Sequence, residues 1–362
     1  MRLEPAGPVR VLRTATPVQC FLKLWSPEIM THLVQKTNDF WKQHKMPFKP
    51  LTVEELMLYF KTRMDIQVSK LPLMSDYWYI GGHPLGRNRF REIHNNMMFD
   101  RNWLVDYLNK QFQLHWNVGS EVTLDELLDP FTGETPYHCY MPRKPNKNGH
   151  LFYEVCSKSA STGKAYALSV LPWMSGKVPT TFEAVQFALD AVNKEDSMLV
   201  MDSWFLSKNS KQILDEASRP YLAAVNSGRW SHIWTYLKSK TKEEGSYFTL
   251  WNDETEVAVR TQLGEKRSNI MTNAYHPVTT EEPEEGAPFG EDYCSYFNSC
   301  DRFNRKLGEI RFPHRQPGWL MKFLSTFLEI TQVNAWVIYN SIKSEKQQKS
   351  IVDFIDCVKN KL

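Results

Sequence analysis

The chain has 362 residues, 42% of them hydrophobic and 13% aromatic. That content builds packed cores, excludes a disordered protein, and fits two or three domains. No run approaches the roughly 18 apolar residues of a membrane helix, residues 1–19 lack the apolar stretch of a secretory signal, and the net charge of +3 excludes neither a polyanion nor a neutral partner.

The charge is unevenly divided. Residues 1–118 carry 16 Lys+Arg against 10 Asp+Glu, residues 302–362 carry 11 against 5, and the stretch between them carries 17 against 26. Basic flanks around an acidic centre suit a polyanion-binding platform built around a metal-binding carboxylate cluster. The six cysteines (Cys20, Cys139, Cys156, Cys294, Cys300, Cys357) form no CxxC pair and no zinc-ligand spacing. Reduced thiols in an intracellular compartment are expected.

Residues 1–20 are rich in Pro and Arg and expected to be poorly ordered, with helical text beginning at Pro17. Ser26-Pro27-Glu28 reads as a helix start, and the periodic run continues to Trp41. Thr52-Val53-Glu54-Glu55 reads as a capping box ahead of Leu56–Phe60. A third helix is predicted over Arg87–Phe99, where three arginines interleave with Phe90 and Ile93, and an amphipathic fourth over Trp103–Trp116.

At Glu121 the periodicity changes to short β-like runs around Val122, Leu124, Tyr137, Tyr140, Phe152 and Val155, separated by Asp-Pro, Thr-Gly and Asn-Gly turns. Further elements follow as strand Ala165–Leu171, helix Thr181–Ala191, a buried strand ending at Asp202, a helix from about Ser207 to Ala217, and strand Tyr221–Val225. That order is α/β. Residues 229–280 read as β texture, with Tyr247–Trp251 and Glu256–Thr261 flanking an Asn252-Asp253 turn, then Ser268–Thr272. Thr280–Gly290 reads as an acidic loop, and the remainder as helical, with long Trp319–Tyr339 and short Ser350–Lys361 helices.

Three aspartates share a setting. Asp125 follows the β-leaning Val122-Thr123-Leu124, Asp202 ends an apolar strand, and Asp301 lies at a helix start, with spacings of 77 and 99 residues. Carboxylates at strand and helix ends can be turn formers or caps. Brought together, they would hold hard cations such as Mg²⁺.

The surrounding words resemble those of the piggyBac family of DNA transposases. Leu124-Asp125-Glu126-Leu127-Leu128-Asp129-Pro130-Phe131-Thr132-Gly133 is similar to the family's DEQL-x-PFRG, and Tyr140-Met141-Pro142-Arg143-Lys144-Pro145-Asn146-Lys147-Asn148-Gly149 to its YIPNKPSKYG. Met201-Asp202-Ser203-Trp204-Phe205-Leu206-Ser207 is similar to MDNFFTS, and Tyr296-Phe297-Asn298-Ser299-Cys300-Asp301-Arg302-Phe303-Asn304 to YNxxxGGVDxxDQ. Three departures are Asn304, where the family has a second acid, Phe131-Thr132-Gly133-Glu134, which lacks the two arginines of the family's FRGR, and Ser299-Cys300, where it has two glycines.

The resemblance implies an RNase H-like catalytic domain with a β-rich insertion, flanked by a split all-helical dimerisation and DNA-binding domain. The implied boundaries are 1–118 helical, 119–228 catalytic, 229–292 insertion, 293–311 catalytic and 312–362 helical. It further implies nuclear cut-and-paste transposition at TTAA targets by a homodimer on double-stranded DNA, with no membrane partner. A two-metal site of Mg²⁺ or Mn²⁺ would be held by Asp125, Asp202 and Asp301, with Asn304 offering a carbonyl. No zinc is expected, since Cys357 is the one cysteine after Asp301. Lys144 and Lys147 are candidate phosphate contacts, as are Arg311 and Arg315, with Trp319 a candidate base-stacking ring. The alternative is a transposase-derived DNA-binding protein without cleavage activity.

Overall fold

Proline and capping residues set the first helices. In chain order the elements begin with a two-residue strand β1 (Gly7–Pro8), followed by α1 (Pro17–Leu24), α2 (Pro27–Gln43), α3 (Val53–Ser69), α4 (Asp76–Ile80), α5 (Arg87–Asn96) and α6 (Arg101–Leu114). Next come β2 (Trp116–Asn117), β3 (Glu121–Pro130), β4 (Cys139–Tyr140), β5 (Asn148–Lys158), β6 (Ala165–Pro172), α7 (Thr181–Ala191), β7 (Met198–Met201), α8 (Lys208–Glu216) and β8 (Tyr221–Ala224). The chain closes with α9 (Ser231–Lys240), β9 (Tyr247–Asn252), β10 (Val257–Leu263), β11 (Arg267–Thr272), α10 (Phe289–Phe297), α11 (Ser299–Ile310), α12 (Trp319–Ser341) and α13 (Ile351–Lys361).

The computed structural model describes all residues except 1–4, 10, 11, 13, 46, 81–82, 174–179, 193–195, 253–256, 264–266 and 275–288. Most of the predicted acidic loop and half of the Asn252-Asp253 turn therefore lie outside the described residues. The chain divides into two compact units, one of Met1–Ala6, Val118–Leu127 and Tyr153–Arg302, the other of Gly7–Asn117, Leu128–Phe152 and Phe303–Leu362.

The second unit is mostly helical. Its centre is α12, whose residues from Met321 to Asn340 are all buried, polar ones included. Each of those polar groups needs a partner in so dry a setting. Arg63 of α3, 1% exposed, donates to Ser325 Oγ (2.8 Å) and lies 4.3 Å from the Phe312 ring centre, while Gln67 Nε2 donates to the Ile310 carbonyl (2.8 Å). Helix α3 starts on Thr52, whose hydroxyl accepts the Glu55 N–H. The Glu55 carboxylate does not return to the cap; it pairs with Arg89 (2.8 Å) and Lys49 (3.0 Å). Residues 128–152 belong to this unit, and Gly149 shows why that stretch is tight: an added Cβ would stand 2.2 Å from the Asp129 carbonyl oxygen.

The first unit is organised by a sheet of order β4-β5-β3-β7-β8-β11-β10-β9, with β6 paired to β5. Strand β4, the start of β5 and the tail of β3 fall in the helical unit. Strands β3, β7 and β8 run parallel, while β8–β11, β11–β10 and β10–β9 are antiparallel. The turn joining β5 to β6 contains Gly163 at φ +65, a conformation glycine adopts without steric cost.

The described residues of 229–272 add β9, β10 and β11 to this same sheet, because Ile270 of β11 pairs with Ala224 of β8. They also contain a helix, α9, where the sequence reads as β texture. Its aromatic, β-branched text His232-Ile233-Trp234-Thr235-Tyr236 has strand composition, a weak preference that local context overrides.

Candidate active site

Alternation along the strands decides which way the aspartates face. In β7, Met198 and Val200 pack with Leu222 and Ile270 against Tyr293, Tyr296 and Phe297 of α10. Residue 202 shares their face, because side chains repeat with period two. In β3, the Thr123 hydroxyl donates to the Tyr296 carbonyl (2.9 Å), so Asp125 two residues on faces the same way. Parallel pairing matches Leu124 with Met201, and the next residues along are Asp125, on β3, and Asp202, just past the end of β7. Neighbouring strands lie about 4.8 Å apart, which sets the separation of the two aspartate backbones.

Each carboxylate is steadied by the backbone beyond it. Asp125 Oδ1 accepts the Glu126 N–H (2.8 Å), and Asp202 Oδ1 accepts the Ser203 N–H. Asp125 is 6% exposed and Asp202 is half-buried. Burial, with the Asp202 and Asp125 charges added to it, pushes the Tyr293 hydroxyl pKa upward. The phenol thus senses both carboxylates.

The third aspartate arrives on α11. Cys300 is fully buried; its thiol donates to the Thr123 carbonyl (3.4 Å) and approaches the Glu154 carbonyl (3.8 Å). Ser299 Oγ adds a bond to the Tyr296 carbonyl (3.0 Å). The residue before Asp301 is therefore clipped to the strand that carries Asp125. Asp301 itself is exposed in the first turn of the helix, and Asn304 sits one turn further on, half-buried. A run of buried Cys300, Phe303, Leu307 and Ile310 keeps the opposite stripe of α11 apolar.

A neighbouring group has no counterpart in the sequence reading. Ligand atoms of Glu154, Cys156 and Cys300, all buried, lie within 4.8 Å of one another. Glu154 and Cys156 are two apart on β5 and so share a face. Burial raises the Cys156 thiol to about 11 and pushes Cys300 up as well. This donor set could hold a thiol-preferring metal, whereas Asp125, Asp202 and Asp301 are hard oxygen donors that fit Mg²⁺ or Mn²⁺. The i, i+2 spacing on a strand was its one sequence signal, and Cys300 had to be brought from 144 residues away.

The candidate DNA contacts lie in the helical unit. Lys144 and Lys147 are on the loop between β4 and β5, Lys147 exposed and Lys144 half-buried; Arg315 is exposed ahead of α12. Trp319, the first residue of α12, meets Tyr137 edge-on (5.3 Å), and the Arg101 guanidinium stands 5.0 Å from its ring centre. Arg311 pairs with the buried Asp129 (3.2 Å), which also takes Lys322 Nζ (2.8 Å) and the Thr326 hydroxyl.

The family described as Transposase IS4 matches residues 16–336. The chain belongs to this transposase family. Its fold is that of a piggyBac transposase: a cryo-EM structure of the piggyBac transposase synaptic complex with hairpin DNA superposes with a TM-score of 0.83. That match has 18% sequence identity and covers 98% of this chain and 82% of the other. No curated protein matches the chain in sequence. As a member, the transposase falls among enzymes of DNA transposition, a class that works with divalent metals. No helix among the described residues is long and apolar enough to cross a membrane.

Proposed function

We propose that this transposase is an active cut-and-paste enzyme core that cleaves DNA and joins strands at TTAA targets, with Asp125, Asp202 and Asp301 as its metal ligands. One observation carries the reading: the Leu124–Met201 pairing brings Asp125 and Asp202 abreast, on the face to which Cys300 clips the helix bearing Asp301. A central β3, flanked by β5 and β6 on one side and by the parallel β7-α8-β8 unit on the other, supports an RNase H-like catalytic domain. Helical segments 1–118 and 312–362 would form the dimerisation and DNA-binding domain, split around the catalytic domain, which the 229–292 insertion would interrupt.

Two divalent cations held by Asp125, Asp202 and Asp301 would supply activation of a water or 3′-hydroxyl and stabilisation of the leaving oxygen. The chain's own part is positional. Glu126 and Ser203 N–H groups fix one oxygen of Asp125 and of Asp202, and the Asn304 amide offers a neutral oxygen one turn from Asp301. Lys144, Lys147 and Arg315 bind phosphates without reading sequence, and Trp319, already braced by Tyr137, stacks on an unpaired base. Arg311 acts through Asp129 as well as on DNA. A homodimer working in the nucleus completes the proposal.

The test is cleavage of hairpin-ended and TTAA-flanked DNA with Mg²⁺ or Mn²⁺. Asp202→Asn is expected to lower the cleavage rate at least about a hundredfold, ~2.7 kcal/mol of transition-state stabilisation, while DNA binding persists. Metal-dependent cleavage that survives Asp202→Asn, or no cleavage by the unaltered chain, defeats the reading.

A further inference from the structure

A carboxylate and two thiols converge inside the sheet-bearing unit. Glu154, Cys156 and Cys300 are each 0% exposed, and one ligand atom from each lies within 4.8 Å of the others. All three belong to the same compact unit. Glu154 and Cys156 project from one face of β5, because side chains on a strand repeat with period two. Cys300 comes from the first turn of α11, where its sulfur lies 3.4 Å from the Thr123 carbonyl oxygen and 3.8 Å from that of Glu154.

The donor types select the occupant. Thiolates favour zinc and other thiol-seeking cations, whereas Mg²⁺ takes oxygen ligands and keeps several of its waters, which ill suits a fully buried sulfur pair. Structural zinc sites are closed and tetrahedral. Zinc–sulfur bonds of about 2.3 Å and zinc–oxygen bonds of about 2.0–2.2 Å place neighbouring ligand atoms roughly 3.5–3.8 Å apart. Atoms already within 4.8 Å reach that spacing by closing about 1 Å. A dication also balances a carboxylate buried with two sulfurs, and buried charges are ordinarily paired or coordinate metals.

We propose that Glu154, Cys156 and Cys300 bind one zinc ion, a structural metal distinct from the hard-cation site at Asp125, Asp202 and Asp301. On binding, the two thiol protons leave to solvent, the sulfurs ligate as thiolates and zinc keeps its oxidation state. The Thr123 carbonyl, beside the Cys300 sulfur, stands as the fourth donor. The weak S–H bond from Cys300 to Thr123 thus gives way to a metal tie between β5, which neighbours β3, and the turn that carries Asp301. Such a site holds whether or not the chain cleaves DNA. Motif spacing does not announce it: two donors are an i, i+2 pair on a strand and the third lies 144 residues beyond Cys156, so the expectation of no zinc from cysteine spacing does not reach it.

The test uses the full chain made in cells supplied with zinc or cobalt and purified under a phosphine reductant. Wild type is expected to retain about one ion per chain through dialysis against Mg²⁺, the metal being taken up as the chain folds. Zinc X-ray absorption should show two sulfur neighbours at about 2.3 Å, and the cobalt form a sulfur-to-metal charge-transfer band in the near ultraviolet. Cys156→Val and Cys300→Val are each expected to lose that band and to bind zinc at least about a hundredfold more weakly, beyond the loss caused by removing an outer-shell partner. Cys294→Ser, at an exposed position, should change neither. Metal-free thermal melts accompany the variants. Where a valine variant does not fold, the sulfur count of wild type and Cys294→Ser decides, because Glu154, Cys156 and Cys300 are the one such group of donors gathered among the described residues. Wild type that retains no zinc, a shell with fewer than two sulfur neighbours, or undiminished binding by the folded valine variants overturns the proposal.

Discussion

Asp129 shows how much one residue's setting can differ from its place in a motif. It sits in the Asp-Pro-Phe word after Asp125, yet its carboxylate is 1% exposed and takes Lys322, Arg311 and Thr326. Burial works to raise its pKa, but Lys322 and Arg311 prevail, and the net direction is down. Removing one partner of a buried charge typically costs 3–5 kcal/mol. Lys322→Met is therefore expected to lower stability by ~3 kcal/mol, the remaining Arg311 limiting the damage, and urea unfolding at neutral pH reads it. A loss under about 1 kcal/mol would mean that Arg311 alone satisfies Asp129. Gly149 makes the matching steric case. The Asn148-Gly149 pair reads as a turn, but the glycine is needed where its backbone meets the Asp129 carbonyl. Gly149→Ala should cost ~3 kcal/mol, in the range of overpacking a tight site; an alanine variant as stable as wild type shows that the strands can part without penalty.

At the scale of elements, the site depends on how β3 is fastened to the α10–α11 junction. Thr123 does this twice, through its hydroxyl to Tyr296 and its carbonyl to Cys300. Thr123→Val keeps the volume and removes the hydroxyl. Because the Tyr296 carbonyl keeps the Ser299 hydroxyl, stability should fall by only about 1 kcal/mol. Cleavage should fall further than stability, since Asp301 is then held by fewer bonds; equal, small effects on both would show that the clip does not position the helix. Strand β7 and the helices that flank it, α7 and α8, were legible because β7 is an uninterrupted apolar run and Thr180 and Ser207 are good caps. What stayed hidden was of two kinds. Pairing partners such as β8 with β11 lie far apart in the chain and leave no local mark. Elements whose composition contradicts their state, such as α9 with its strand-like aromatics, read wrongly. The Glu154–Cys156–Cys300 group is likewise a product of long-range pairing.

Over the whole molecule, the buried titratable groups set how stability responds to acid. Burial against Phe90 and Phe312, with Arg63 close by, pushes His94 down to about 3; burial also lowers His150 to about 4, against the pull of Asp129. A base whose folded pKa is depressed stays neutral while the unfolded chain takes up a proton, so stability is full above the unfolded pKa of about 6.5 and falls below it. Each histidine should cost about 1.4 kcal/mol per pH unit between pH 6.5 and about 4. Glu329 works in the other direction. Burial raises its pKa, so the folded state binds that proton more readily than the unfolded chain and recovers stability as pH falls. Urea unfolding from pH 7 to pH 4.5 should therefore show a steep loss. His150→Gln should flatten the loss by about one proton's slope, and Glu329→Gln, which keeps an acceptor for the Phe312 N–H now bonded at 3.0 Å, should steepen it. A pH-independent midpoint over that window, or no change in slope with His150→Gln, rules out the buried histidines as the cause.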